Sequence, residues 1–428
     1  MPTFVNYILL LATVFVFSIG CQQKEVGIQP DSKQPADLAK LLKQLESEKA
    51  DNRITALYDL GQLLGKAPDK KDLATAIPKI VAAIGDRDDV TNSSARTVLT
   101  HIGEPAAEYF KSHLESNDDV EYAIGAEAIK SIGPAAKKWF PLLKKNLAAY
   151  KNNDSKTKRL IWTLEGLEGL EQEAAPLVDE VFELAKHPNI KIPVLVMKII
   201  ANNGKTSKAY GPRISKMIDK GPPSVRSLAL VALGAIGEHD EYNVLELLTK
   251  KLDAFLLIEK QRAMEGMALM GENAKPALKK IESLIDNNSK SAMCSAAYAY
   301  WKITGDETKA IAKLKKLLDS RSFADEAIQT IGRMGDSAKT LVPVLKLHLD
   351  SPEAVRRENA VFALGDIGAA AEPAVDRLKK MAADDKDAGI RGLARMRFQM
   401  IKSANAGARD RPSDQKSFSG ENNSPPNS

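Results

Sequence analysis

Five pairs of lysines are the residues whose type and spacing most suggest a binding chemistry. Lys144-Lys145, Lys250-Lys251, Lys279-Lys280, Lys315-Lys316 and Lys379-Lys380 each lie inside an apolar-flanked run, as in Leu143–Leu147 and Leu378–Met381. At helical spacing, flanking apolar residues turn each pair away from the core. Two readings stay open. Summed over copies, the pairs could form a basic stripe for an acidic protein segment or an anionic polymer; equally, they could be a solvated face that keeps the chain soluble. Aromatic residues are not interleaved with them, which argues against a stacking platform for single-stranded nucleic acid.

Catalytic chemistry finds no comparable pattern. The five histidines, His101, His113, His187, His239 and His348, are dispersed, with no HExxH spacing between any two. No GxSxG elbow or Walker P-loop occurs, and Gly65-Lys66 and Gly204-Lys205 lack the preceding glycines and strand. Carboxylates are abundant, but nothing selects a pair for acid–base work. The expectation is a chain that is not an enzyme and takes no cofactor or metal. There are two cysteines, too few for a disulfide framework. Cys294, in SAMCSAAYAYW, suits a small core position.

The other cysteine, Cys21, ends an N-terminal stretch, MPTFVNYILLLATVFVFSIGC. The apolar run from Tyr7 to Phe17 suits the hydrophobic region of a signal peptide better than a full membrane span. Gly20-Cys21 resembles the end of a bacterial lipobox, with Ser18 where Leu is usual. That resemblance implies cleavage before Cys21, lipidation of its thiol, and residence on a bacterial cell envelope, on the periplasmic side. An uncleaved anchor and an ordinary signal peptide are the alternatives. Export argues against chromosomal DNA, so no nucleic-acid partner is expected. Residues 22–35 are polar with Pro30 and Pro35 and read as a tether. Residues 404–428, rich in Ser, Asn, Gly and Pro, read as a disordered tail.

What remains, residues 36–403, must position the lysines. The chain has 428 residues, 44% hydrophobic and only 5% aromatic, a composition that favours helices. Its net charge of +5 hints at acidic partners without establishing them. The stretch Ser351–Asp385 reads as a helix, a glycine turn at Gly368 and a second helix. Such a hairpin cannot bury both its apolar faces alone. The turn recurs at Gly65, Gly103, Gly133, Gly169, Gly204, Gly237, Gly271, Gly305, Gly335 and Gly368, at spacings of 30 to 38 residues. A period in this range predicts a helical solenoid of about ten to eleven hairpins. Eight residues before the last nine of these glycines, seven positions are Ala or Gly; four residues before them, eight are apolar. The exceptions concentrate at Ile161 and Glu165, where Gly169 is taken as the turn.

The segments PPSVRSLALVALGAIG (222–237) and SPEAVRRENAVFALGDIG (351–368) resemble HEAT repeats, particularly the short kind found in phycobilisome lyases. Arg226 and Arg357 stand eight residues before the Gly of Leu-Gly, and Arg53 keeps the same relation to Gly61. The resemblance implies an all-α superhelix whose second helices line a concave surface. It also implies a binding scaffold, since few members have enzymatic, lyase-like roles. The expected partner is a protein, acidic if the lysine stripe is used. Hairpins stacked 8–10 Å apart would build a curved rod on the order of 100 Å long.

Overall fold

The computed structural model describes residues 38–64, 70–85, 89–286 and 292–409. It is an all-α helical-repeat superhelix, and among the described residues no strand forms. The first helices of successive hairpins are α2 (Ala50–Leu64), α4 (Asp89–Ile102), α7 (Asp119–Ile132), α9 (Thr157–Gly169), α11 (Lys191–Asn203) and α13 (Pro223–Ile236). They continue with α15 (Leu257–Met270), α17 (Met293–Thr304), α19 (Ala324–Met334), α21 (Ala354–Ile367) and α23 (Ala388–Arg409). The second layer holds α1 (Leu38–Gln44), α3 (Lys70–Ala82), α5 (Glu104–Ala107) with α6 (Lys111–Glu115), α8 (Phe140–Tyr150), α10 (Val178–Phe182) and α12 (Gly211–Ser215). It is completed by α14 (Val244–Lys251), α16 (Leu278–Asp286), α18 (Glu307–Leu318), α20 (Val342–His348) and α22 (Val375–Asp384).

The turns follow the glycines. Gly103, Gly133, Gly204, Gly237, Gly271, Gly305, Gly335 and Gly368 all have positive φ, between 49° and 81°, a region other residues enter only at a cost. Gly65 lies outside the described residues. Gly169 is a correction: it is still helical, and the residue with φ 49° is Glu171. Moving the turn by two residues restores the repeat. Thr163, wholly buried, then takes the small-residue position in place of Ile161, and Leu167 takes the apolar one in place of Glu165.

The second helices also depart from expectation. In six repeats the chain leaves the turn as seven residues of 3₁₀ helix, at 133–139, 171–177, 204–210, 271–277, 335–341 and 368–374, before an α-helix begins. Pro176, Pro276 and Pro373 lie within these stretches, where a missing N–H interrupts an α-helical ladder. Pro78, by contrast, stands inside α3.

First helices pack on one another in series, most of them extensively and α17 on α19 least, and the series does not stop: α23 packs on α2. The expected open rod is therefore replaced by a closed ring of eleven first helices. Gly392 sits against Ile54, Arg391 Nε donates to Asp51 Oδ2 at 3.4 Å, and Arg395 donates to Thr55 Oγ1 at 2.8 Å. Ile54 belongs to the apolar cluster built by α17–α23, so the core between the layers runs through the junction. The unit whose first helix is α23 has no described second helix after it; α1 fills the corresponding layer position, packing on α2 as each second helix packs on the first helix that follows.

Candidate functional site

A closed two-layer ring has a shorter circumference inside than outside. At most junctions neighbouring first helices pack far more closely than neighbouring second-layer segments do, α17 with α19 being the exception. The first helices therefore line the lumen and the second helices form the outer wall. Close approach is built in by small residues: a Cβ on Gly234 would lie 2.2 Å from the Gly266 carbonyl oxygen, and one on Gly266 2.6 Å from that of Leu230. Two interactions skip a helix, as only a concave side allows. Gln261 Nε2 of α15 donates to Glu326 Oε1 of α19 at 3.4 Å, past α17. Arg96 of α4 feels the charge of Glu165 of α9, past α7. A circle of eleven helices at 8–10 Å spacing has a bore of roughly 27 Å between backbones.

The electrostatics agree. Asp366 of α21 keeps 47% of its side-chain surface exposed, yet burial raises its pKa above the ordinary value against the opposing charge and hydrogen bond of Arg397. Burial likewise raises Glu165 and Glu326. Solvent reaches these carboxylates while protein surrounds them, the condition of a lumen. On the outer wall the reverse holds. Glu246 of α14 is lowered by its hydrogen bond and charge interaction with Lys250.

Lumen side chains form a mixed surface rather than a field of one sign. Arg96 pairs with Glu127, and Lys130 and Lys198 both reach Glu168, at 3.5 and 3.0 Å. Along α17–α21 the wall turns aromatic and cationic. Arg333 lies over the Tyr298 ring at 4.1 Å, Tyr298 packs edge-on against Trp301, and Gln329 shares a hydrogen bond with Asn359.

The lysine pairs sit elsewhere. All five lie on second helices, so the expected concave stripe is corrected to the outer wall. Lys144, Lys145, Lys250, Lys279, Lys315, Lys316, Lys379 and Lys380 are exposed, as their apolar flanks require. Lys251 and Lys280 are half-buried and hold carboxylates: Lys251 lies 2.7 Å from Asp219 and 3.6 Å from Glu259, and Lys280 2.7 Å from Asp253. Lys250 pairs with Glu246 and Lys379 with Asp376. Lys250, Lys279 and Lys280 line one groove of about 660 Å³ between α14 and α16, but Glu246 and Asp253 line it too. The pairs are thus separate outer positions, three of the five balanced by acids.

The repeated arginines serve assembly, a role their spacing did not disclose. Arg53 donates to the carbonyls of Ser47 and Glu48, Arg226 to that of Gly221, Arg357 to that of Ser351 and Arg391 to that of Asp385. Each thus caps the chain entering its own helix. Three also grip the next unit: Arg226 holds Glu259 at 2.6 Å, Arg357 holds Asp385 at 2.8 Å and Arg391 reaches Asp51. The last of these closes the ring with the same arginine–acid contact that joins ordinary neighbours.

Cys21 lies outside the described residues. Cys294 is buried on α17, and burial pushes its thiol far above the ordinary range, which makes it unreactive. Among the described residues, no group of three or more His, Cys, Asp or Glu side chains could hold a metal ion, and no helix is long and apolar enough to cross a membrane.

No protein-family model matches the chain, and no curated protein matches it. Among solved structures it is similar to the karyopherin Kap121p bound to the extreme C-terminus of the protein phosphatase Cdc14p, at 14% identity and TM-score 0.40. That match covers 87% of this chain and 50% of the other. It is also similar to Kap121p bound to Ste12p, at 14% identity and TM-score 0.39, over 87% of this chain and 49% of that one. The chain thus spans about half the length of these structures. The assignment of architecture rests on the ring geometry itself.

Proposed function

We propose that this chain is a non-enzymatic interaction scaffold, tethered to a bacterial cell envelope through lipidated Cys21, that engages protein partners in the lumen of its ring. Its repeats are of the short HEAT kind seen in phycobilisome lyases, used for binding. The observation that carries the reading is the lumen wall of α17–α21. Gln329 and Arg333 are exposed there, and Tyr298 and Trp301 keep part of their rings accessible while also packing on the core between the layers. Aromatic and arginine side chains on a concave wall are the composition of protein-binding centres.

A photo-crosslinking residue at Gln329 in cells should trap a discrete protein, and Tyr298→Ala together with Arg333→Ala should abolish that adduct. The same probe at Lys315, on the outer wall, should not trap it. Trapping from Lys315 with none from Gln329 would discard the lumen. Labelling with radioactive palmitate tests the tether: Cys21→Ser should remove the label, and undiminished labelling would refute lipidation there.

A further inference from the structure

Of the eight large apolar residues exposed among the described residues, six share one setting, the others being Leu347 on α20 and Met400 on α23. Val120, Ile190, Phe255, Leu257, Ile258 and Val355 all lie where a second helix hands over to the next first helix. That places them on one rim, opposite the rim of the glycine turns. The handovers before α11, α13 and α15 combine them with charge. Phe255 is 99% exposed at the tip of the loop before α15, with Leu257 and Ile258 beside it, and Ile190 projects from the loop before α11. Between these, Lys186, Lys216 and Lys220 are exposed, and among the described residues none pairs with a carboxylate. The acids of the sector are already taken: Glu183 by Lys151, Asp219 by Lys251, Asp253 by Lys280 and Glu259 by Arg226. The sector is therefore basic, with a protruding apolar tip.

We propose that this rim sector docks on an anionic lipid surface, with Phe255 entering the acyl boundary and Lys186, Lys216 and Lys220 over the headgroups. A protein groove would receive a ligand into a concavity. Lys186, Ile190, Lys216 and Lys220 do border a groove of about 570 Å³, but Phe255, on the next loop, is not part of its lining and projects fully into solvent, as insertion into a flat bilayer requires. An apolar tip among unpaired lysines has the two attractions an anionic bilayer supplies, apolar burial and charge. The tether permits it. The helix α1 starts at the glycine-turn rim, but the residues from Cys21 to Leu38 can span up to about 55 Å, against about 21 Å for the length of a fourteen-residue first helix. The inference goes beyond the scaffold reading and does not depend on lipidation of Cys21.

The test uses the full chain with Cys21→Ser, in which buried Cys294 does not react, and an environment-sensitive fluorophore on Phe255→Cys. A second version carries it on Leu257→Cys, which keeps Phe255. On vesicles of phosphatidylglycerol and phosphatidylcholine, both labels should shift to the blue and be quenched by brominated acyl chains. High salt should reverse the effect, as should Lys186→Glu, Lys216→Glu and Lys220→Glu together, each lysine counting for roughly fivefold in affinity. On phosphatidylcholine alone the labels should stay in water, as should a label at Lys315→Cys on either vesicle. Labels at 255 and 257 that remain in water on anionic vesicles would overturn the proposal. So would an equal shift at 315, an equal shift with the three lysines reversed, or a shift produced only by an added acidic protein.

Discussion

Arg357 and Asp385 are each only 5% exposed, and their forked contact holds one repeat to the next. Burial alone would raise the Asp385 pKa, but the hydrogen bonds from Arg357 and the Asp387 amide and the Arg357 charge hold it below the ordinary carboxylate value. A depressed folded-state pKa means stability that is present above the unfolded value of about 3.9 and lost as pH falls from there through the lower folded-state value. Asp385→Ala should therefore cost about 3–5 kcal/mol at neutral pH by leaving Arg357 buried without its partner, and should flatten the loss of stability toward pH 3, both read from urea midpoints. Glu326 works with the opposite sign. Burial raises its pKa against the Gln261 hydrogen bond, so its ionised form opposes folding at neutral pH and the opposition fades in acid. Glu326→Gln should move the urea midpoint upward at neutral pH and leave it nearly unchanged near pH 3.

At the scale of the helix pair, the turn and the helix–helix contact can be tested separately. Glu171 occupies a left-handed position that eight other described repeats fill with glycine. Glu171→Gly should stabilise the chain by about 1 kcal/mol through relief of that conformation; a lower thermal midpoint would show that the side chain contributes more than the strain removes. Gly234→Ala should do the reverse, at a cost of about 1–3 kcal/mol, because its new methyl meets the Gly266 backbone, which cannot rotate away. The Glu171 turn also shows why one repeat was misplaced from sequence. Gly169 was nearby, glycine marks most turns, and nothing local distinguishes a glycine packed on the Lys130 backbone from one that ends a helix. The small-residue rule held the better information, since Thr163 and Leu167 fit it where Ile161 and Glu165 do not.

For the whole molecule, closure is the property with consequences. An open solenoid has two free ends, and its stability is nearly a sum of units and neighbour contacts. Here α23 and α2 stabilise each other across the chain, so loosening either end exposes both. Gly392→Leu places a side chain where even a Cβ would lie 2.7 Å from Ile54, and should part the two helices. Small-angle scattering should then report a larger radius of gyration. An unchanged profile would mean that the junction contributes little to the ring's shape.

The sequence by itself determined the unit: a helical hairpin, its glycine turn, its small and apolar positions and its recurring arginine. All of these depend on neighbours within one or two repeats, which is what periodicity records. The same local logic showed that the paired lysines must face water, though not on which side of the ring. Only the tertiary structure decided three things. It made the first helices the lumen wall and moved Lys144-Lys145 through Lys379-Lys380 to the outside. It collected Phe255, Ile190 and their lysines on one rim. It also joined Arg391 to Asp51, 340 residues away in the chain. Curvature is the sum of small rotations between eleven units, each set by how closely residues such as Gly234 and Gly266 let two backbones approach. No single repeat carries that sum, so neither the closure nor the inner face of the ring could be read from any one of them.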